Sequence, residues 1–412
     1  MLRMISFGGL FVMILLAWLM SSHKFRIRWR TVITGTILQF LLAVVVLKTA
    51  PGRTFFQWVG DFFTTLLDFV SEGSKFVFGP KYDEFFFAFK VLPTIIFVSA
   101  LMSILYHLGI MQRIVAALAK VMQVTMKLSG AESLAAAANV FVGQTEAPLV
   151  IKPYIPTMTR SELMALMVGG FATIAGGVLA AYVEMGIDAA HLLTASVISA
   201  PAGLLIAKIM QPEVEEPKTM GHVKVEAKIE TTNLIEAAAA GASDGLKLAL
   251  NVAAMLLAFL ALLAMFDALL GWTGGQVYYA LGWEYATPWS LATILGYCFW
   301  PLAWVMGIES KDCLRSGELL GLKMVATEFV AYQRLGVWIE PGSEVQLSER
   351  TIAILTYALC GFSNFGSIGI QIGGIGSLAP ERRADLAQLG LRAMLGGTLA
   401  CCMTACVAGV LI

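Results

Sequence analysis

The stretch Asn139–Pro156 reads NVFVGQTEAPLVIKPYIP, and it sets Gln144, Thr145 and Glu146 side by side between flanks apolar enough for lipid. An amide, a hydroxyl and a carboxylate are costly to desolvate, so a membrane protein keeps such a group for a purpose. Pro148 and Pro153 interrupt the segment as well. A continuous spanning helix suits it poorly, and a re-entrant hairpin suits it better.

The membrane assignment comes from composition. Of 412 residues, 58% are hydrophobic and 14% charged, against about 25% charged in an ordinary soluble protein. Lys plus Arg and Asp plus Glu number 28 each, so no basic excess points to nucleic acid. The six cysteines lie in the C-terminal third without a metal-binding spacing and read as buried free thiols. The first apolar run has a single basic residue, Arg3, before it and its basic cluster after it, so it reads as a span and not a cleaved signal.

Runs of spanning length lie at about 5–21, 31–50, 91–110, 163–184, 190–210, 248–271, 351–375 and 386–412. Residues 52–80 mix aromatic and charged residues and suit an amphipathic interfacial helix. Residues 211–230 form the strongly polar linker. Basic residues in SSHKFRIRWR, KPYIPTMTR and LAPERRADLAQLGLR place those loops inside, while VEMGIDAAH has no Lys or Arg. Eight spans with both termini outside satisfy that pattern. Pro288–Ile308 is long enough to cross but would reverse it, so it is expected to be interfacial or part of a re-entrant element.

The chain also repeats itself. GGFATIAGG (Gly169–Gly177) and CGFSNFGSIG (Cys360–Gly369) both put Gly-Phe and small residues in mid-span. Each span is preceded by a Ser-Glu pair, Ser161-Glu162 and Ser348-Glu349, and before that by a segment bearing an acid, Glu146 or Glu328. With the topology above, the two copies have opposite orientations. Inverted repeats with broken helices are the mark of secondary transporters, with the site near the midplane. Unwound NH and CO groups cost several kcal/mol each unless protein, solute or ion satisfies them.

The pooled mid-membrane polar groups are Asn139, Gln144, Thr145, Glu146, Thr173, Glu328, Asn364 and Ser367. No Arg or Lys stands among them, which disfavours carboxylate or phosphate substrates. A neutral solute rich in hydroxyl and NH groups fits, with Phe362 or Phe365 as a face for a planar ring. The bland alternatives are pairing of Glu328 with Lys323, pairing of Glu146 with Lys152, and helix-gluing by Asn364 and Ser367. No phosphate loop, HExxH or GxSxG occurs. An ion gradient must therefore drive uphill transport, and one charge crossing 100 mV gains about 2.3 kcal/mol.

From about residue 90 onward the chain resembles the concentrative nucleoside transporters, as a bacterial member. GQTEAPLVIKPYIPTMTRSEL, GGFATIAGGVLAAYV, SAPAGLLIAKI, TEFVAY and CGFSNFGSIGIQIGGIGSLAPERR carry the likeness. The resemblance implies an all-α membrane protein: eight transmembrane helices, two re-entrant hairpins, interfacial helices and an elevator-type inverted repeat. It implies a homotrimer in the bacterial cytoplasmic membrane, importing nucleosides by symport with Na+. By position, Gly143, Gln144, Thr145 and Glu146 with Val178 would face the nucleobase. Glu328, Asn364 and Ser367 would hold the ribose, with Phe362 against the substrate. Na+ would be held by Asn139, Thr173 and the carbonyls of Val142 and Ile174.

The division expected is 1–130 mainly scaffold, 131–210 the first hairpin with spans 4 and 5, 211–290 linker, span 6 and interfacial scaffold, and 291–412 the second hairpin with spans 7 and 8. The chain departs from the family at Thr327, where Asn is usual, and in GIESKDC. Proton coupling, another neutral polar solute, a passive pore and a membrane enzyme acting on a lipid-linked sugar are the rival readings.

Overall fold

Capping residues divide this apolar chain into helices. The computed structural model describes residues 1–220, 231–282 and 289–412, and among them there is helix and no strand. Residues 221–230 of the linker, with His222, and Pro288 lie outside the described residues.

The N-terminal section holds α1 (Leu2–Leu19), α2 (Trp29–Lys48) and α3 (Ala50–Phe78). Thr49 opens α3 by accepting a hydrogen bond from the Gly52 amide at 3.1 Å. This helix covers the stretch expected to be amphipathic, and it leaves Trp58, Phe62 and Phe69 exposed.

Two runs of seven helices follow in matching order. The first comprises α4 (Leu92–His107), α5 (Ile110–Met126), α6 (Gly130–Asn139), the short α7 (Ala147–Val150), α8 (Arg160–Ala172), α9 (Gly176–Glu184) and α10 (Ala189–Met210). The second comprises α11 (Leu234–Leu281), α12 (Leu291–Val305), α13 (Cys313–Val325), α14 (Glu328–Ile339), α15 (Glu349–Leu359), α16 (Phe365–Leu378) and α17 (Arg383–Leu411). In both, a helix pair with an acid at its tip precedes a span broken in two. Pro288–Ile308 is thereby explained: its helical part is α12, which packs along α13 as α5 packs along α6.

Seven helical stretches among the described residues are long and apolar enough to cross a membrane. The seventh expected span, 351–375, is divided between α15 and α16, and neither half reaches that length alone.

The sixth span departs most from expectation. It was expected over 248–271 and is a 48-residue helix, Leu234–Leu281, about 72 Å long at ~1.5 Å per residue. Asn233 caps its start by accepting from the Glu236 amide, and left-handed Gly282 ends it. Asp244 and Lys247 form an exposed pair three turns inside it. Asp267 accepts from the Leu291 amide at 2.7 Å and so starts α12.

Gly241 and Gly245 let α11 lie directly on α4. A Cβ at either glycine would strike the α4 backbone around Ile96, Ser99 and Ala100. This small-xxx-small seam is how helices approach closely where burial from water supplies no drive. By contrast, α1 and α2 pack on α17 and α10. The Ser-Glu pairs prove inequivalent. Thr159 is the N-cap of α8, with Glu162 closing a capping box, whereas Ser348 itself caps α15.

At the other end of α6 and α8 lies a buried ionic cluster. Ser129 and Glu132 form a capping box on α6, and Ser129 Oγ donates to Glu162 at 2.6 Å. Lys208 pairs with Glu132 at 2.6 Å and with Glu213 at 3.3 Å. Thr219 of the linker accepts from the Gly130 amide and donates to Glu162. The first part of the polar linker is thus fastened to both helices. Five of the six thiols are buried, but Cys298 is exposed on α12, contrary to the expectation for all six.

Candidate substrate and cation site

Each broken span unwinds over a few residues: Thr173–Ala175 between α8 and α9, and Cys360–Asn364 between α15 and α16. The two breaks touch. The Phe362 amide donates to the Thr173 carbonyl at 3.3 Å, and Ser363 Oγ donates to the Phe171 carbonyl at 2.8 Å. Gly361 is needed there, because a Cβ would meet the Phe171 oxygen and the Cys401 sulfur at 2.6 Å. Backbone groups freed by unwinding are in this way satisfied by the opposite repeat.

Beside the breaks runs a buried chain of hydrogen bonds. Glu328, the first residue of α14, is 4% exposed. Its carboxylate accepts from Tyr182 Oη at 3.0 Å and from Asn364 Nδ2 at 3.1 Å. Asn364 is also the N-cap of α16, its Oδ1 accepting from the Ser367 amide at 2.8 Å. Gln144 Nε2 donates to Ser367 Oγ at 3.1 Å. Gln371 Nε2 donates to Gln144 Oε1 at 3.0 Å and to the Met167 carbonyl at 3.1 Å.

The two acid-bearing tips therefore meet across the first turn of α16. Gly170 makes room for this chain, since a Cβ there would press on Gln371 Nε2 and Gln144 Cβ. Thr327 caps α14 by accepting from the Val330 amide at 3.4 Å; Asn and Thr both serve at such a position, so the departure from the family preserves the cap.

Neither proposed ion pair forms. Lys323 donates to the Ala358 carbonyl at 2.9 Å and not to Glu328. Among the described residues Glu146 makes no ion pair with Lys152 or any other base.

The remaining expected residues are distributed as follows. Val178 is buried in the first turn of α9, one turn before Tyr182. Thr145 lies against Gly374 on α16, while Glu146 is exposed and folds back toward Gly143. Phe362 is half-buried at the break. Tyr182 and Gln371 escaped the reading of the sequence. A signal existed: each lies four residues after an expected site residue, Val178 or Ser367, and so shares its helix face.

Two of the expected cation residues, Asn139 and Thr173, both lie against Gly169. Asn139 ends α6 with its amide against Gly169 in the last turn of α8, and Thr173 Oγ1 donates to the Gly169 carbonyl at 2.9 Å. Asn139 Oδ1 is buried without a hydrogen-bond partner. An orphaned oxygen costs free energy unless something binds it. Neutral oxygens of this kind suit a hard monovalent cation, and among the described residues no group of three or more His, Cys, Asp or Glu gathers to hold a metal ion.

Residues 191–409 match the family described as Na+ dependent nucleoside transporter C-terminus, and residues 8–81 the corresponding N-terminus. Residues 88–189 match a family described as nucleoside recognition. The chain is 47% identical to solute carrier family 28 member 3 of Eptatretus stoutii, over 99% of this chain and 60% of the relative. It is 44% identical to sodium/nucleoside cotransporter 1 of Rattus norvegicus, over 99% and 64%.

The chain thus spans about three-fifths of the length of the curated relatives it matches. Among solved structures it is similar to CNTnw in an inward-facing substrate-bound state, with TM-score 0.91 and 42% identity, covering 100% of this chain and 98% of that one. An outward-facing CNTnw gives TM-score 0.92 at 41% identity, with the same coverage. These relatives are carriers and not enzymes, which sets aside the lipid-linked sugar reading. The chain belongs to the Na+ dependent nucleoside transporter family.

Proposed function

We propose that the chain imports nucleosides by symport with Na+. The observation that carries this reading is the uninterrupted line Tyr182–Glu328–Asn364–Ser367–Gln144–Gln371, in which no Lys or Arg takes part. Such a lining offers acceptors to hydroxyl and NH donors and no counter-charge to an anion. Glu328 with Asn364 and Ser367 would take the ribose hydroxyls. Gln144, Thr145 and Glu146, with Gly143 and Val178 beside them, would take the base, and Phe362 would lie along the ring.

The coupling Na+ would sit between Asn139, Thr173 and the carbonyls of Val142 and Ile174, where the orphaned Asn139 oxygen supports it. Its binding would tie the tip of the first hairpin to the break of α8, ordering the base-binding residues Gln144 and Thr145 nearby. Nucleoside affinity would then rise with Na+, which is the reciprocal coupling a symporter requires.

We read the transport step as an elevator motion of the two broken spans and their hairpins against a scaffold containing α4 and α11. The α4–α11 seam and the separate packing of the α8, α10, α15 and α17 group support that reading. The assembly proposed is a homotrimer in the bacterial cytoplasmic membrane, with both termini outside, as the basic loops argue.

The test is uptake of labelled uridine into proteoliposomes with and without a sodium gradient, in competition with adenosine, uracil and glucose. Accumulation above the external level only with sodium, blocked by nucleosides and not by uracil or glucose, is the expected result. Indifference to sodium, or uracil competing better than uridine, would overturn it.

A further inference from the structure

The site just described does not use Lys323, a buried cation on its edge. The residue is 2% exposed and lies in the last turn of α13. Its ammonium donates at 2.9 Å to the carbonyl of Ala358, in the last turn of α15. Among the described residues no carboxylate lies within ion-pair distance of it. The thiols of Cys360 and Cys402 and the carboxylate of Glu328 also come under its charge.

A buried ammonium without a counter-ion is expensive. Here its compensation is the C-terminal end of a half-helix, where carbonyls lack their usual donors and the helix dipole is negative.

The first repeat contains the same junction. There the last turn of α6 is laid on the last turn of α8, with the Asn139 amide against Gly169. In that copy the groups are neutral oxygens, and Asn139 Oδ1 has no partner. One half-helix end thus offers oxygens to a cation and the other already carries one, covalently attached.

We propose that Lys323 is a tethered cation, filling in the second repeat the position that a mobile Na+ takes in the first, so that one free cation is bound per transport cycle. This rests on the reading that Asn139 and Thr173 hold the coupling ion.

The proposal is tested on the full chain, purified and reconstituted. Wild-type uridine uptake should depend on sodium with a Hill coefficient of about one. Lys323→Ala, purified in methylammonium, should lose about tenfold or more of its uptake at the same sodium concentration. Ammonium or methylammonium should restore it, as should higher sodium along a steeper curve. Lys323→Met fills the space without charge and should not be restored.

A second readout needs no transport: ammonium should raise the Tm of detergent-solubilised Lys323→Ala relative to choline and leave the wild-type Tm unmoved. Two sodium ions per uridine in the wild type would overturn the proposal. So would a Lys323→Ala protein that transports normally, one indifferent to every added cation, or one that cannot be purified even with methylammonium. Failure of the underlying site is seen separately, as an Asn139→Ala variant with unchanged sodium dependence.

Discussion

Asn364 joins two half-helices through one side chain: its Oδ1 caps α16 at the Ser367 amide, and its Nδ2 donates to Glu328 at the head of α14. If Asn364 is lost, one carboxylate oxygen of Glu328 is left buried without its donor, while Tyr182 still holds the other. A hydrogen bond to a charged group contributes about 1.5–3 kcal/mol, or roughly 10- to 100-fold in affinity. Glu328→Gln and Asn364→Ala are each expected to cut uridine uptake per folded protein by at least about tenfold. Uptake is to be compared at equal membrane abundance, and a wild-type rate in Glu328→Gln would remove the ribose assignment.

Asn139 contributes a buried oxygen that finds no hydrogen-bond partner among the described residues. Its replacement by Ala should raise the sodium concentration for half-maximal uptake by about tenfold, the worth of one such ligand. The maximal rate at saturating sodium should change less. The check is a sodium titration at fixed uridine.

Gln371 holds Gln144 in place from one helical turn beyond Ser367. In a Gln371→Leu variant, Gln144 loses about 1 kcal/mol of orientation. KM should rise by roughly fivefold with Vmax little changed, since the partner lost is uniform to ground and transition states. Discrimination among bases should narrow, because the released amide is the one proposed to face the base. Competition by a panel of nucleosides measures this, and an unchanged ranking with unchanged KM would count against it.

Lys208 sits between Glu132 and Glu213, with both carboxylates shielded from solvent. Breaking a buried pair by removing one member costs about 3–5 kcal/mol. Lys208→Met should therefore melt well below the wild type in detergent, and adding Glu132→Gln should recover part of the loss. If the two substitutions were simply additive, the pairing would have no energetic meaning.

Much of this arrangement was legible in the sequence because lipid restricts where polar side chains go. Glu328, Asn364 and Ser367 stood out as polar residues in apolar runs, and the fold brings them within hydrogen-bond reach of one another. The Gly-Phe pairs at 170–171 and 361–362 marked the breaks for the same reason.

Other features depended on three-dimensional packing. The length of α11 was hidden because its ends are set by Asn233 and Gly282, outside the apolar core of the helix. Gln371 gains its meaning only from the approach of Gln144, which packing and not sequence sets. The suspected partnership of Lys323 and Glu328 was plausible by spacing, but the lysine lies on α13 and the acid opens α14, past the turn between them.

The bond from Phe362 to the Thr173 carbonyl has a mechanical consequence. Because the two interruptions are sewn to each other, with Ser363 as a second stitch on Phe171, any displacement that carries one half of the proposed substrate site carries the other. On the elevator reading proposed above, slippage would fall at the boundary between α9 and α4, where Gly177 faces Ser99 at 3.3 Å from its would-be Cβ.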